Sequence, residues 1–152
     1  MLKIISEVLS LLAIGWISGA EIGSWFGIHP VINKLPYEQQ LNFQQGLLNT
    51  FGRIMPIIMP FSAVVVIILA IFSLNDSSPI MWLRIIAAIC IITAIVTTVT
   101  INVPINNLTA TWKTTDNFEQ WSLMRTRWHS LQGLRGGLFL ISFILLVIAG
   151  TI

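Results

Sequence analysis

Eight residues carry most of the chemistry this sequence can offer: the stretch WHSLQGLR, from Trp128 to Arg135, which opens the last long apolar run of the chain. A guanidinium inside such a run costs ~2.5–3.5 kcal/mol on insertion scales unless it meets a partner, water or the membrane interface. At helical spacing Trp128, Gln132 and Arg135 fall on one narrow arc that continues through Phe139 and Ser142, a polar stripe suited to a bundle interior. A second polar face precedes it, where Ser18, Glu21, Trp25 and, less closely, His29 share one side of the first apolar run. A carboxyl at that depth points to a functional site, and it is also the natural counter-ion for Arg135. The same residue types therefore permit either acid–base chemistry or a plain structural ion pair.

The elements that position these groups follow from composition. The chain has 152 residues, 55% hydrophobic and 9% charged, against about a quarter charged in a soluble domain. Four apolar runs, Leu2–Ile28, Ile54–Leu74, Ile80–Val103 and Leu131–Ile152, each approach the ~20 residues that cross a bilayer as a helix. No segment alternates as a membrane β-strand must. The expected fold is all-α, a single four-transmembrane-helix bundle over residues 1–152 with polar or amphipathic connections on one side. The first run reads as a retained helix rather than a leader, because Glu7 interrupts its early part and apolar character continues to Ile28. Cys90 is the only cysteine, so an intramolecular disulfide is excluded, as is a zinc site built from cysteines. The net charge of +2 and the lack of a basic block argue against nucleic acid as a partner.

Gly15, Gly19, Gly23 and Gly27 form a four-residue repeat along helix one, a seam for close helix approach either within the bundle or in a homo-oligomer. From Asn33 to Thr50 the chain is polar with a partial amphipathic pattern, which suits a surface segment or an extension of helix two. Pro56 and Pro60 are expected to start or kink that helix. Asn75 to Pro79 reads as a tight turn, followed by Trp82 and Arg84 as interface anchors. Thr93, Thr97 and Thr100 share a face of helix three. Pro104 is expected to end that helix at Val103, leaving Asn102, Asn106 and Asn107 to cap the broken end or to point amides into a cavity. Asp116 and Glu119 have the spacing of a capping box, with helix four starting near Asn117.

Four crossings bring the end of helix one, the start of two, the end of three and the start of four to one side of the membrane. With a rise of ~1.5 Å per residue, Glu21 lies about 12 Å below His29 and Arg135 about 9 Å below His129, which puts acid and guanidinium at similar depth. A polar pocket opening to that side is expected, with the opposite half almost wholly aliphatic. Lys34, Arg53, Lys113, Arg125 and Arg127 lie on the pocket side against Lys3 and Arg84 on the other. That distribution puts the pocket mouth toward the cytoplasm and both termini outside, in a multi-pass integral membrane protein.

The glycine-bearing first helix, the NVPINN stretch at the end of helix three and the Trp-then-Arg motif opening helix four together resemble the anthrone-oxygenase-like membrane proteins. The likeness covers nearly the whole chain. In that family the last motif runs Trp, three residues, His, two residues, Arg; here Trp128 and Arg135 match, and Gln132 stands where histidine is usual. The resemblance implies oxidation of a phenolic anthrone to an anthraquinone with dioxygen. On that basis Glu21, His29 and Arg135 are the catalytic candidates, and Trp25, Asn102, Asn106, Asn107, Trp128 and Gln132 the candidates for holding a small lipophilic aromatic or quinone-like molecule. Glu21 or His29 would take the substrate proton, and Arg135 would stabilise the oxyanion. No cofactor is expected. Copper or iron held by His29, His129 and Glu21 is the runner-up, at spacings that match no strong metal motif. The competing readings are a non-catalytic protein that binds a small lipophile among membrane lipids, and a structural membrane protein in which Glu21 and Arg135 specify the fold.

Overall fold

The computed structural model describes residues 1–152, and every element is helical. Four helices have the length and apolar character to cross a membrane: α1 (Leu2–Ile32), α2 (Tyr37–Phe72), α3 (Ser78–Thr111) and α4 (Phe118–Thr151). They fit a multi-pass integral membrane protein. Short connections make sequence neighbours antiparallel. α4 packs on α1 and α3, and α2 packs on the other sides of α1 and α3, so the four close into a ring.

The core is aliphatic and sits toward the half of the bundle that holds both termini. Ile14 and Ile17 from α1, Val66 and Leu69 from α2, Ala87 and Ile91 from α3, and Phe139 and Leu146 from α4 form one cluster. Alanines at the α3 contacts let the neighbouring backbones approach. The expected stripe on α4 is the buried one: Trp128, Gln132, Arg135, Phe139 and Ser142 are all buried.

Of the two readings of the polar segment after Asn33, extension of helix two is the one the structure takes: residues 37–50 are the first turns of α2, and Pro56 and Pro60 lie inside that helix. Other expectations give way. Pro104 does not break helix three. A π-helical turn at Thr98–Asn102 precedes it, and the helix runs on to Thr111. A matching π turn at Ser24–Ile28 precedes Pro30 in α1. A proline ring clashes with the carbonyl four residues back and supplies no N–H, and the wider π turn accommodates both defects without ending the helix. At the start of α4 the cap is Asn117, whose side chain accepts from the Glu119 and Gln120 amides, while Asp116 accepts from the Lys113 amide. The Asp116–Glu119 capping box is therefore absent.

The half away from the pocket is not wholly aliphatic. Arg84, expected at the interface, is 3% exposed and donates to Ser73 at 2.8 Å, to Asp76 at 2.9 Å and to Glu7. Lys3 also pairs with Asp76. This cluster ties the start of α1 to the α2–α3 turn and to α3. Trp82 is exposed, as an interface anchor should be. Of the glycine seam only Gly15 meets another helix, where an added Cβ would lie 3.0 Å from the Phe143 ring; Gly19, Gly23 and Gly27 face open space. On α4 the glycine that the close approach to α1 requires is Gly133, where an added Cβ would lie 2.6 Å from the Trp25 ring.

Candidate functional site

Glu21 and Arg135 meet in the bundle interior. One guanidinium nitrogen of Arg135, Nη2, lies 2.9 Å from Glu21 Oε1 and 3.0 Å from Oε2. Gln132 completes a triangle, its amide nitrogen donating to Glu21 Oε2 at 2.5 Å while its carbonyl accepts from Arg135. A side chain that donates to the acid and accepts from the base at once is what a carboxamide supplies, and no second charge enters the site. Glu21 is 2% and Arg135 8% exposed, so each is the other's principal electrostatic partner. Gly136 packs directly against Glu21, at a distance where even an added Cβ would make ordinary van der Waals contact.

The triangle forms one wall of a cavity of about 570 Å³. His29 and Ser24 border it from α1, and Trp128 borders it from α4. The remaining walls come from α2 and α3 and are largely apolar, with Leu48, Met55, Met59 and Ile95 among them. Asn106 and Asn107 add amides near one end, and the Trp128 indole N–H donates to Asn106 at 2.8 Å.

His29 reaches the cavity because of the π turn. From Glu21 to His29 a regular helix would turn the side chain ~80° away; the extra residue of a π turn takes back roughly 100° and returns it to the Glu21 side. His29 is buried, with Nε2 3.3 Å from the Ser24 hydroxyl and Nδ1 without a hydrogen-bond partner. The same turn sends Trp25 away from the cavity and onto α4, where it stacks on His129 at 3.8 Å between ring centroids. His129 in turn lies edge-on to His29 at 5.4 Å.

Of the binding candidates, Asn106, Asn107, Trp128 and Gln132 border the cavity and Trp25 and Asn102 do not. Asn102 is buried with its side-chain oxygen unpartnered. Thr93, Thr97 and Thr100 also lie outside the lining, bonding back to carbonyls of their own helix, whereas Thr98 borders the cavity. For the runner-up metal set, no group of three or more His, Cys, Asp or Glu side chains comes together to hold an ion. The arrangement sets a carboxylate, an imidazole and a guanidinium along the border of a largely apolar cavity.

Ser24, Thr98 and Gln44 were missed in the sequence. Gln44 is buried, borders the cavity and accepts from Arg125 at 2.9 Å. Its signal was a glutamine on the same helical face as Leu41 and Leu48; Ser24 sits three residues after Glu21, on the same side.

A family model described as anthrone oxygenase matches residues 48–145, well over half of the chain. The match takes in α2 from Leu48, all of α3, and α4 through Gln132 and Arg135, and it begins after the α1 residues Glu21 and His29. Comparison with curated proteins and with solved structures finds no match. The chain belongs to the anthrone oxygenase family.

Proposed function

We propose that this protein is a membrane oxidoreductase that oxidises a lipophilic aromatic, anthrone-like molecule to the quinone with dioxygen. The observation that carries the reading is the Glu21–Gln132–Arg135 triangle set into the wall of an otherwise apolar cavity. At about 570 Å³ the cavity falls within the ~300–1,000 Å³ of small-molecule sites.

An anthrone carries an acidic CH₂ opposite its ketone. Glu21 or His29 removes one of those protons, and the resulting negative charge delocalises onto the ring oxygen, where Arg135 stabilises it. The carbanion reduces dioxygen by two electrons and forms a carbon–oxygen bond, giving a hydroperoxide once a proton is returned. Loss of the second C–H proton with cleavage of the O–O bond releases water and leaves the new carbonyl. Anthrone and dioxygen thus give anthraquinone and water. Asn106, Asn107 and Gln132 orient the ring oxygens. The substrate's own enolate supplies the electrons for this step, with Glu21 or His29 moving the proton and Arg135 holding the oxyanion.

The test is anthraquinone formation by purified protein in lipid nanodiscs. Glu21→Gln keeps the shape of the triangle and lowers turnover by roughly 10²–10⁴, the usual worth of a general base, while anthraquinone still binds. Should His29→Asn show that loss and Glu21→Gln none, His29 is the base. Binding without turnover in the wild type would make the protein a lipophile carrier. The lysine and arginine distribution favours a cytoplasmic pocket side, which side-specific thiol labelling of Lys113→Cys in a Cys90→Ser background would check.

A further inference from the structure

The geometry points to lateral admission: the ligand reaches the cavity from the hydrocarbon of the bilayer, through a slot between α2 and α3, rather than from the aqueous face. This rests on the cavity binding a lipophilic molecule, as proposed above.

The cavity walls are asymmetric. Every bordering residue of α1 and α4, including Glu21, His29, Trp128, Gln132 and Arg135, is buried or half-buried. The bordering residues that also reach the outer surface of the bundle all belong to α2 and α3: Phe51, Pro56 and Pro60 face Val99 and Val103 across the seam, which continues toward the loops past Asn49 and Asn107. Pro56, Pro60, Val99 and Val103 lie within the apolar runs of their helices, at a depth that faces lipid.

Both ends of the α2–α3 seam are closed. Toward the termini Val66 and Leu69 pack against Ala87 and Ile91 in the aliphatic core. Toward the loops, Gln45 of α2 donates to the Thr109 carbonyl at 3.0 Å and to the Trp112 carbonyl at 2.9 Å. The Trp112 indole N–H donates to the Tyr37 hydroxyl at 3.1 Å. Arg125 joins Gln44 at 2.9 Å and Asn33 at 2.8 Å, strapping α4 across the same end. The aqueous end is therefore laced by polar contacts, and the opening lies below them.

The local backbone explains why the middle of the seam does not zip. Pro56 and Pro60 supply no N–H to the carbonyls of Gly52 and Pro56, and their rings interrupt the regular ridge of α2. Facing them, the Thr98–Asn102 π turn shifts the register of α3. Two helices whose ridges are both irregular at one level leave a gap there.

The test uses anthraquinone as probe, delivered from lipid to protein in nanodiscs, with uptake and release followed by the saturable quenching that Trp128→Phe removes. Val99→Phe and Val103→Phe narrow the slot without touching the polar wall, and slow uptake and release together by roughly tenfold with the equilibrium affinity unchanged. Val96→Phe, on the lipid face of α3 but outside the cavity, leaves both rates as they are. Gln45→Ala, which unlaces the aqueous end, leaves them as they are too. The proposal is overturned if Gln45→Ala speeds uptake while Val99→Phe and Val103→Phe change nothing, because the route is then aqueous. A wild type that binds with these kinetics but forms no quinone sinks the oxidase reading and leaves lateral admission standing. A wild type that never binds the probe overturns both.

Discussion

Replacing Glu21 with leucine tests whether the buried acid and base are one unit. Three contacts disappear with the carboxylate: two from Arg135 Nη2 and one from the Gln132 amide. Arg135 Nε already has no partner, so the guanidinium keeps only the Gln132 carbonyl. Breaking a buried pair on one side typically costs ~3–5 kcal/mol, because the remaining charge is left uncompensated. Arg135→Leu should cost a similar amount by stranding Glu21. The double variant leaves no buried charge and should sit within about 1–2 kcal/mol of wild type, less destabilised than either single change. The assay is a double-mutant cycle read by equilibrium unfolding in mixed micelles. Single variants each within about 1 kcal/mol of wild type, adding in the double, would refute the claim that these residues compensate each other.

Gly133→Ala puts a methyl 2.6–2.9 Å from three ring atoms of Trp25, which must then leave its stack on His129. A loss of ~1–3 kcal/mol is expected in detergent unfolding, and Trp25→Leu should recover much of it. Arg84→Met removes a buried cation from Glu7 and Asp76, which are partly exposed and, for Asp76, still paired with Lys3; it should lower stability by ~1–3 kcal/mol, with turnover per folded molecule unchanged because the cluster lies away from the cavity. The hydrogen bond from Lys3, helped by the charges of Lys3 and Arg84, holds the Asp76 carboxyl below its ordinary value of 3.8. A depressed folded-state value means the contribution is complete above pH 3.8 and fades as pH falls below it. Thermal unfolding at pH 6 and pH 3 should show that loss in wild type and a smaller one in Asp76→Asn.

The sequence made the α4 stripe legible because residue type and the 3.6-residue period agreed from Trp128 to Ser142: Trp128, Gln132, Arg135, Phe139 and Ser142 are all inside. The depth match between Glu21 and Arg135 followed from helix rise alone, and they are in contact. His29 was placed only loosely on the Glu21 face, and Pro104 was read as a helix end, for a single reason. A regular period extrapolates through a π turn as if it were not there, and nothing in SWFGI or TVTIN marks the extra residue except the proline that follows. Arg84 was misjudged because its partners are remote in the chain: Glu7 lies 77 residues away. Gln44 and Arg125 are 81 residues apart and look like unrelated surface groups until α2 and α4 are brought together. Helix rise was enough to pair Glu21 with Arg135; the partners of Arg84 and Arg125 needed the fold.

Chemistry with dioxygen in the cavity, as proposed, is tested by oxygen uptake on adding anthrone to the purified protein in nanodiscs, alongside product analysis and a Glu21→Gln, His29→Asn double variant. Protein-dependent uptake of one dioxygen per anthraquinone formed is expected, with the double variant reduced to the rate of nanodiscs without protein. Wild-type uptake no faster than that of protein-free nanodiscs, in a preparation shown to bind anthraquinone, would contradict it.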